Sequence, residues 1–208
     1  GIPRGSTVLL SGTAGAGKTI FCSQFIYEGI KTFNEPGLYV SVEEPVENIK
    51  KNMKSFGIDF DPWEEKGMIK LVTFDPLGQD LIETIRSNVA TVKAKRVCID
   101  SLVGWSILLE KPKTIRRRLL NLRMVLKELG CTSIVTTEIP VGKPGISRFN
   151  LEEFIVDGVI ILNYTKKDKV FERSVVIWKM RGTDHSRKIH PFEITEKGIV
   201  VYPTEEVI

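Results

Sequence analysis

The segment Gly12-Thr13-Ala14-Gly15-Ala16-Gly17-Lys18-Thr19 constrains this chain more than any other. Apolar Val8, Leu9 and Leu10 precede it and read as a buried strand, while Ile20 to Phe33 reads as a helix. The segment fits G-x-x-x-x-G-K-[ST] without a mismatch and has the strand and helix that this pattern requires on either side. Glycines let the backbone curl so that consecutive N–H groups point inward at phosphate oxygens. The following helix adds its positive N-terminal end. In such a loop Lys18 meets the β- and γ-phosphates, and the Thr19 hydroxyl ligates Mg²⁺. Thr13, Ala14, Gly15, Ala16, Gly17, Lys18, Thr19 and Ile20 form the expected cradle. The competing reading is a glycine-rich turn that binds nothing; it leaves the lysine, the hydroxyl and the flanking elements without a reason.

Apolar periodicity extends the pattern. Leu38 to Val42, Ile69 to Phe74, Arg96 to Asp100 and Ser133 to Thr136 read as further strands. Between them, helical stripes run through Val46, Ile49, Met53 and Phe56, through Leu81, Ile85, Val89 and Val92, and through Ile115, Leu119, Leu122, Leu126 and Leu129. Pro45 suits a helix start and Gly130 a helix end. This alternation predicts an α/β fold, a mainly parallel sheet flanked by helices. The last third differs. Val159 to Tyr164 and Arg173 to Lys179 flank the charged turn Lys166 to Lys169, and Phe192 to Thr195 and Ile199 to Tyr202 flank Glu196-Lys197-Gly198. These read as hairpins, an antiparallel extension of the same sheet.

Composition narrows the class. The 208 residues suit one domain over 1–208, and 42% hydrophobic with 27% charged content is that of a soluble globular protein. No apolar run approaches the ~20 residues of a membrane span. Cys22, Cys98 and Cys131 lack metal-ligand spacing and read as buried free thiols in a reducing cytoplasm. A net charge of +4 permits nucleic-acid contact without arguing for it. The chain starts at Gly1 without a Met or a signal-peptide pattern, which suggests a preceding segment cut away or a domain excised from a longer chain. Ile2 to Ser6 runs straight into the first strand and reads as native rather than as a tag remnant.

Other residues carry chemistry less plainly. Val97-Cys98-Ile99-Asp100 is an apolar strand ending in an acid, where a phosphate-loop enzyme needs an Asp for its Mg²⁺ shell, directly or through water. Glu43 and Glu44 follow the second strand and could polarise an attacking water, or could serve only to start a helix. Lys179 and Arg181, in Lys179-Met180-Arg181-Gly182-Thr183, are either phosphate contacts or an ordinary solvated strand end. Arg116-Arg117-Arg118 reads as a solvated or interface face of its helix. His185 and His190 lack metal spacing. Gly142-Lys143-Pro144-Gly145 is a substrate loop or simply a loop.

Taken together these residues resemble the KaiC-like ATPases of the RecA/RadA group, over essentially the whole chain. The resemblance is carried by Gly1-Ile2-Pro3-Arg4-Gly5-Ser6, tandem Glu43-Glu44 and the Walker B strand Cys98-Ile99-Asp100-Ser101. It continues in Arg148-Phe149, Glu152-Glu153-Phe154, Asp157-Gly158 and Lys179-Met180-Arg181-Gly182-Thr183 with His185. It implies a RecA-type core, Mg-dependent ATP hydrolysis, and hexameric rings with ATP between subunits. It also implies that Glu43, Glu44 and Lys18 are catalytic and that Lys179 and Arg181 reach the γ-phosphate of a neighbour's ATP. A single such domain, archaeal or bacterial rather than eukaryotic, is expected. The clock protein's adjacent Ser and Thr phosphorylation sites have no counterpart in Ile146 to Phe154, which speaks against autokinase activity. A protein partner is compatible with this class. The alternative is a RadA-like, DNA-binding recombination accessory using Lys143 to Arg148, which offers two cations and no aromatic before Phe149.

Overall fold

The computed structural model describes residues 1–106, 112–139 and 145–204. Its strands are β1 (Thr7–Gly12), β2 (Gly37–Ser41), β3 (Ile69–Thr73), β4 (Arg96–Asp100), β5 (Thr132–Glu138), β6 (Gly158–Lys167), β7 (Val170–Met180), β8 (His190–Thr195) and β9 (Gly198–Val201). They form one sheet in the order β3-β2-β4-β5-β1-β6-β7-β8-β9. Pairings from β3 through β6 are parallel, and those from β6 to β9 are antiparallel. The helices are α1 (Lys18–Phe33), α2 (Val46–Lys54), α3 (Asp61–Glu65), α4 (Leu81–Val92), α5 (Leu102–Ser106), α6 (Pro112–Glu128) and α7 (Glu152–Ile155).

Alternate residues of the central strands feed two cores, because successive side chains of a strand leave opposite faces. Leu9, Val40 and Ile99 face α4, α5 and α6, while Leu10, Tyr39 and Cys98 face α1 and α2. Both faces being covered, β1, β2 and β4 are apolar almost throughout. Leu81, Ile85 and Val89 are the buried stripe of α4, whose start is capped by Asp80 accepting from Glu83 N. Gly130 follows α6 at φ +66°, the left-handed position that ends many helices.

Three elements differ from the sequence expectation. Helices α3, α5 and α7 are five residues or fewer, too short to show a period. Pro45 is the residue ahead of α2 rather than within it. Residues 142–144 of the predicted loop lie outside the described residues. Arg116, Arg117 and Arg118 are exposed on α6 as expected, with Arg118 over the Trp105 ring at 5.9 Å.

Candidate active site

Parallel pairing brings the C-terminal ends of β1, β2, β4 and β5 to one edge. Gly12 is in register with Glu138, and Ser41 with Asp100. A Cβ on Gly12 would lie 2.7 Å from the Leu162 carbonyl oxygen, so only glycine lets β1 approach β6 there. Gly17 takes φ +100° and no side chain caps the helix it precedes, leaving the first N–H groups of α1 facing the loop. A cavity of about 550 Å³ opens above, a volume suited to a small-molecule ligand. Ala14, Gly15, Gly17, Lys18, Thr19 and Ile20 line it. Thr13 contributes a carbonyl to Lys18 instead, and Ala16 is buried in the core beneath.

The Lys18 ammonium donates to the Gly12 and Thr13 carbonyls, each at 3.0 Å, and lies 4.0 Å from Glu138. Burial draws its pKa below the usual lysine value, with Glu138, Asp100 and Glu43 pulling the other way. Asp100 is held by hydroxyls. Thr19 and Tyr39 donate to its Oδ2, both at 2.8 Å, and Thr136 donates to Oδ1 at 2.6 Å. Burial first, and the Asp100 charge next, push the Tyr39 phenol well above its ordinary pKa, so it stays protonated.

Glu43 and Glu44 both line the cavity but are held differently. The Ser101 hydroxyl donates to Glu43 Oε1 at 2.7 Å, tying it to the residue after Asp100. Glu44 Oε1 receives a long 3.4 Å contact from Asn52 Nδ2 on α2.

Lys179 and Arg181 are not at this cavity. Met180 pairs with Gly158, which pairs with Val8, so they flank the opposite end of β1. Five residues at ~3.3 Å each put Thr7 about 17 Å from Gly12. Lys179 Nζ donates to the carbonyls of Glu153 and Val156 at 2.9 and 2.7 Å. Burial and the charge of Arg181 lower its pKa. Arg181 is 3.9 Å from Asp157, whose carboxylate also accepts from Arg123 at 2.6 Å and Thr7 N at 3.1 Å. Burial raises the Asp157 pKa, but these donors outweigh it and hold it below the usual range.

Two cavity residues escape a linear reading. Glu138 ends β5 as Asp100 ends β4, and that parallel is the signal which could have marked it. Arg173 reaches the loop from β7, donating to the Gly15 carbonyl at 3.2 Å with its guanidinium 4.3 Å over the Tyr164 ring. Nothing near it in sequence points to that contact.

The residues fit a nucleoside triphosphate with Mg²⁺: open helix N–H groups and a lysine at one side, a hydroxyl and a carboxylate at the other. Among the described residues no group of three or more His, Cys, Asp or Glu forms a metal cluster of its own. All three cysteines are buried and free. No helix among the described residues is long and apolar enough to cross a membrane.

A parallel sheet with a glycine loop at the end of its central strand, and an acid on a nearby strand, defines the RecA-type core of P-loop ATPases. The family model for the KaiC ATPase matches residues 1–206, and the chain belongs to that family. It is 41% identical to the UPF0273 protein PH0284 of Pyrococcus horikoshii, over 98% of this chain and 88% of that protein. It is 37% identical to the circadian clock oscillator protein KaiC of Synechococcus elongatus, over 98% of this chain but 41% of that longer protein. The crystal structure of the KaiC-like protein PH0186 from Pyrococcus horikoshii superposes with a TM-score of 0.89 at 45% identity, covering 98% of this chain and 92% of that one.

Proposed function

We propose that this chain, as one ATPase domain, binds ATP with Mg²⁺ and hydrolyses it at sites shared between neighbouring copies in a ring, a hexamer by family resemblance. The carrying observation is the division of the cationic groups. Lys18 sits in the cavity with Thr19, Asp100, Glu43 and Glu44, while Lys179 and Arg181 stand at the far end of the same strands. A pair so placed acts on phosphates only if another copy supplies them.

The loop N–H groups and Lys18 bind the phosphate oxygens, and Thr19 with Asp100 holds the metal. Mg²⁺, when bound, offsets the charge that develops on the transferred phosphoryl oxygens. Glu43, braced by Ser101, is the better-placed carboxylate to orient a water and accept its proton, with Glu44 beside it. Lys179 and Arg181 of a neighbouring copy add charge at the γ-phosphate. Three buried free thiols accord with a cytoplasmic setting.

The test measures particle mass and phosphate release together, with and without Mg·ATP, and repeats both with single-stranded DNA. Assembly and turnover that rise with Mg·ATP and ignore DNA support this reading. Turnover that requires DNA returns the RadA-like alternative, and ATP binding without turnover leaves a nucleotide-dependent binding module.

A further inference from the structure

A tyrosine fully buried on a strand between apolar neighbours is unusual unless its hydroxyl finds a partner, because an unpaired hydroxyl in a core is costly. In the β2 sequence Gly37-Leu38-Tyr39-Val40-Ser41, Tyr39 has no solvent exposure and its hydroxyl donates to Asp100 Oδ2 at 2.8 Å. A carboxylate only accepts, so the proton of this bond belongs to the phenol. The same oxygen receives Thr19 Oγ1, and the other receives buried Thr136 Oγ1.

The three donors differ in what else they can do. Thr19 opens α1 beside the loop and is the hydroxyl assigned above to the metal. Tyr39 and Thr136 belong to β2 and β5, the strands on either side of β4, and are anchored in the sheet. A carboxylate offers about four acceptor sites, so three donors leave it about one. A Thr19 hydroxyl can offer a lone pair to a metal and keep its O–H on Oδ2, but it sits where the loop meets α1, whereas Tyr39 orients the same oxygen from within the sheet. Without Tyr39, Asp100 keeps one anchor in the sheet, on Oδ1, and Oδ2 is held by the Thr19 hydroxyl alone.

We propose that Tyr39 is a positioning residue for the metal site: with Thr136 it clamps Asp100 across three adjacent strands, so that the carboxylate holds its orientation toward Mg²⁺ from the sheet and does not depend on the Thr19 hydroxyl alone. The proposal rests on the reading of Asp100 as part of the Mg²⁺ shell. Partners of this kind, which orient a ligand without touching the metal, commonly change metal affinity ~10–100-fold when removed.

Mn²⁺ serves as the probe, its free fraction read by electron paramagnetic resonance at saturating non-hydrolysable ATP analogue. Wild type is compared with Tyr39→Phe, Thr136→Val and Asp100→Asn. A fluorescent ATP analogue in EDTA measures nucleotide affinity without metal, and thermal melting reports the fold. Tyr39→Phe is expected to bind Mn²⁺ ~10-fold more weakly, with metal-free nucleotide affinity and melting temperature near wild type; Thr136→Val should act in the same direction. Wild-type Mn²⁺ affinity in Tyr39→Phe, with Asp100→Asn impaired, overturns the clamp while leaving the Asp100 assignment standing. Equal Mn²⁺ affinity in wild type and Asp100→Asn overturns the assignment itself and the clamp with it. Loss of metal-free nucleotide affinity in Tyr39→Phe as large as the loss of Mn²⁺ affinity also overturns it, because the phenol then supports only the packing under the loop. If Tyr39→Phe melts early, Thr136→Val alone decides, by the same criteria.

Discussion

Adjacent glutamates need not share one role. Glu43 is braced by Ser101, beside Asp100, while Glu44 leans toward α2 through Asn52. Replacing both by Gln keeps size and polarity but removes the proton acceptor. Turnover should fall ~10²-fold or more while ATP still binds, the usual worth of a positioned base. Of the single variants, Glu43→Gln should account for most of that loss. Near-normal turnover in the double variant returns the pair to a helix-start role; phosphate release and calorimetric ATP titration read the two parts. Lys18→Ala behaves differently, since it removes the cation that meets the phosphates. It should weaken Mg·ATP binding in the same titration without unfolding the core.

Between elements, a few side chains do the joining. Arg96, opening β4, donates to Glu35 through Nε and to the Phe25 carbonyl through a terminal nitrogen, both at 2.7 Å. Its guanidinium also lies over the Phe25 and Phe33 rings of α1 at 4.7 and 5.2 Å. The pair is mostly buried, with side-chain exposures of 14% and 19%, so Arg96→Ala leaves Glu35 poorly solvated with only the exposed Arg4, at 3.4 Å, as a partner. We expect a loss of about 2–3 kcal/mol, read as a shifted denaturant midpoint at unchanged slope. Elsewhere Lys50 and Lys54 of α2 hold Asp61, the first residue of α3. The Lys50 hydrogen bond, then that of Lys54, lowers the Asp61 pKa to about 2. A depressed carboxylate pKa stabilises the fold above its unfolded value of ~3.9 and loses that contribution as pH falls through about 2. An NMR titration should find the Asp61 carboxyl midpoint near 2, and Lys50→Ala should raise it.

At the scale of the whole molecule, the distance along β1 between the cavity and the cationic pair sets the experiment. Lys179→Ala with Arg181→Ala should keep the fold and much of the single-copy nucleotide affinity, but lose turnover and ATP-promoted assembly. Lys18→Ala should be inactive for the opposite reason. Mixed, the two can place an intact loop beside an intact Lys179 and Arg181, and ATPase activity should return. If the two preparations demonstrably co-assemble and no activity appears, the shared-site model is wrong.

Most of the architecture is legible in the chain because it is written locally. A glycine loop between a strand and a helix, alternating apolar periods, and turn residues between late strands need only near neighbours to be read. Gly12 and Gly17 announce the loop, and the period of Leu81, Ile85 and Val89 announces α4. The short helices α3, α5 and α7 carry no period, so packing alone shapes them. The site's composition is likewise partly local: Lys18, Thr19, Asp100, Glu43 and Glu44 each stand in a pattern of their own. Their company is not. Strand order β2-β4-β5-β1 places Asp100, Glu138 and Gly12 along one edge, and only that order seats Tyr39 and Thr136 on the carboxylate. Pairing of β6 with β7 sets Arg173 beside Tyr164 and within reach of Gly15, and sends Lys179 and Arg181 to the far end. Sequence spacing of the motifs carries the identity of the chemistry, because backbone curvature and charge at a phosphate loop depend on consecutive residues. Which distant side chains meet depends on strand order and register, and those are fixed only when the sheet closes its hydrogen bonds and buries both faces.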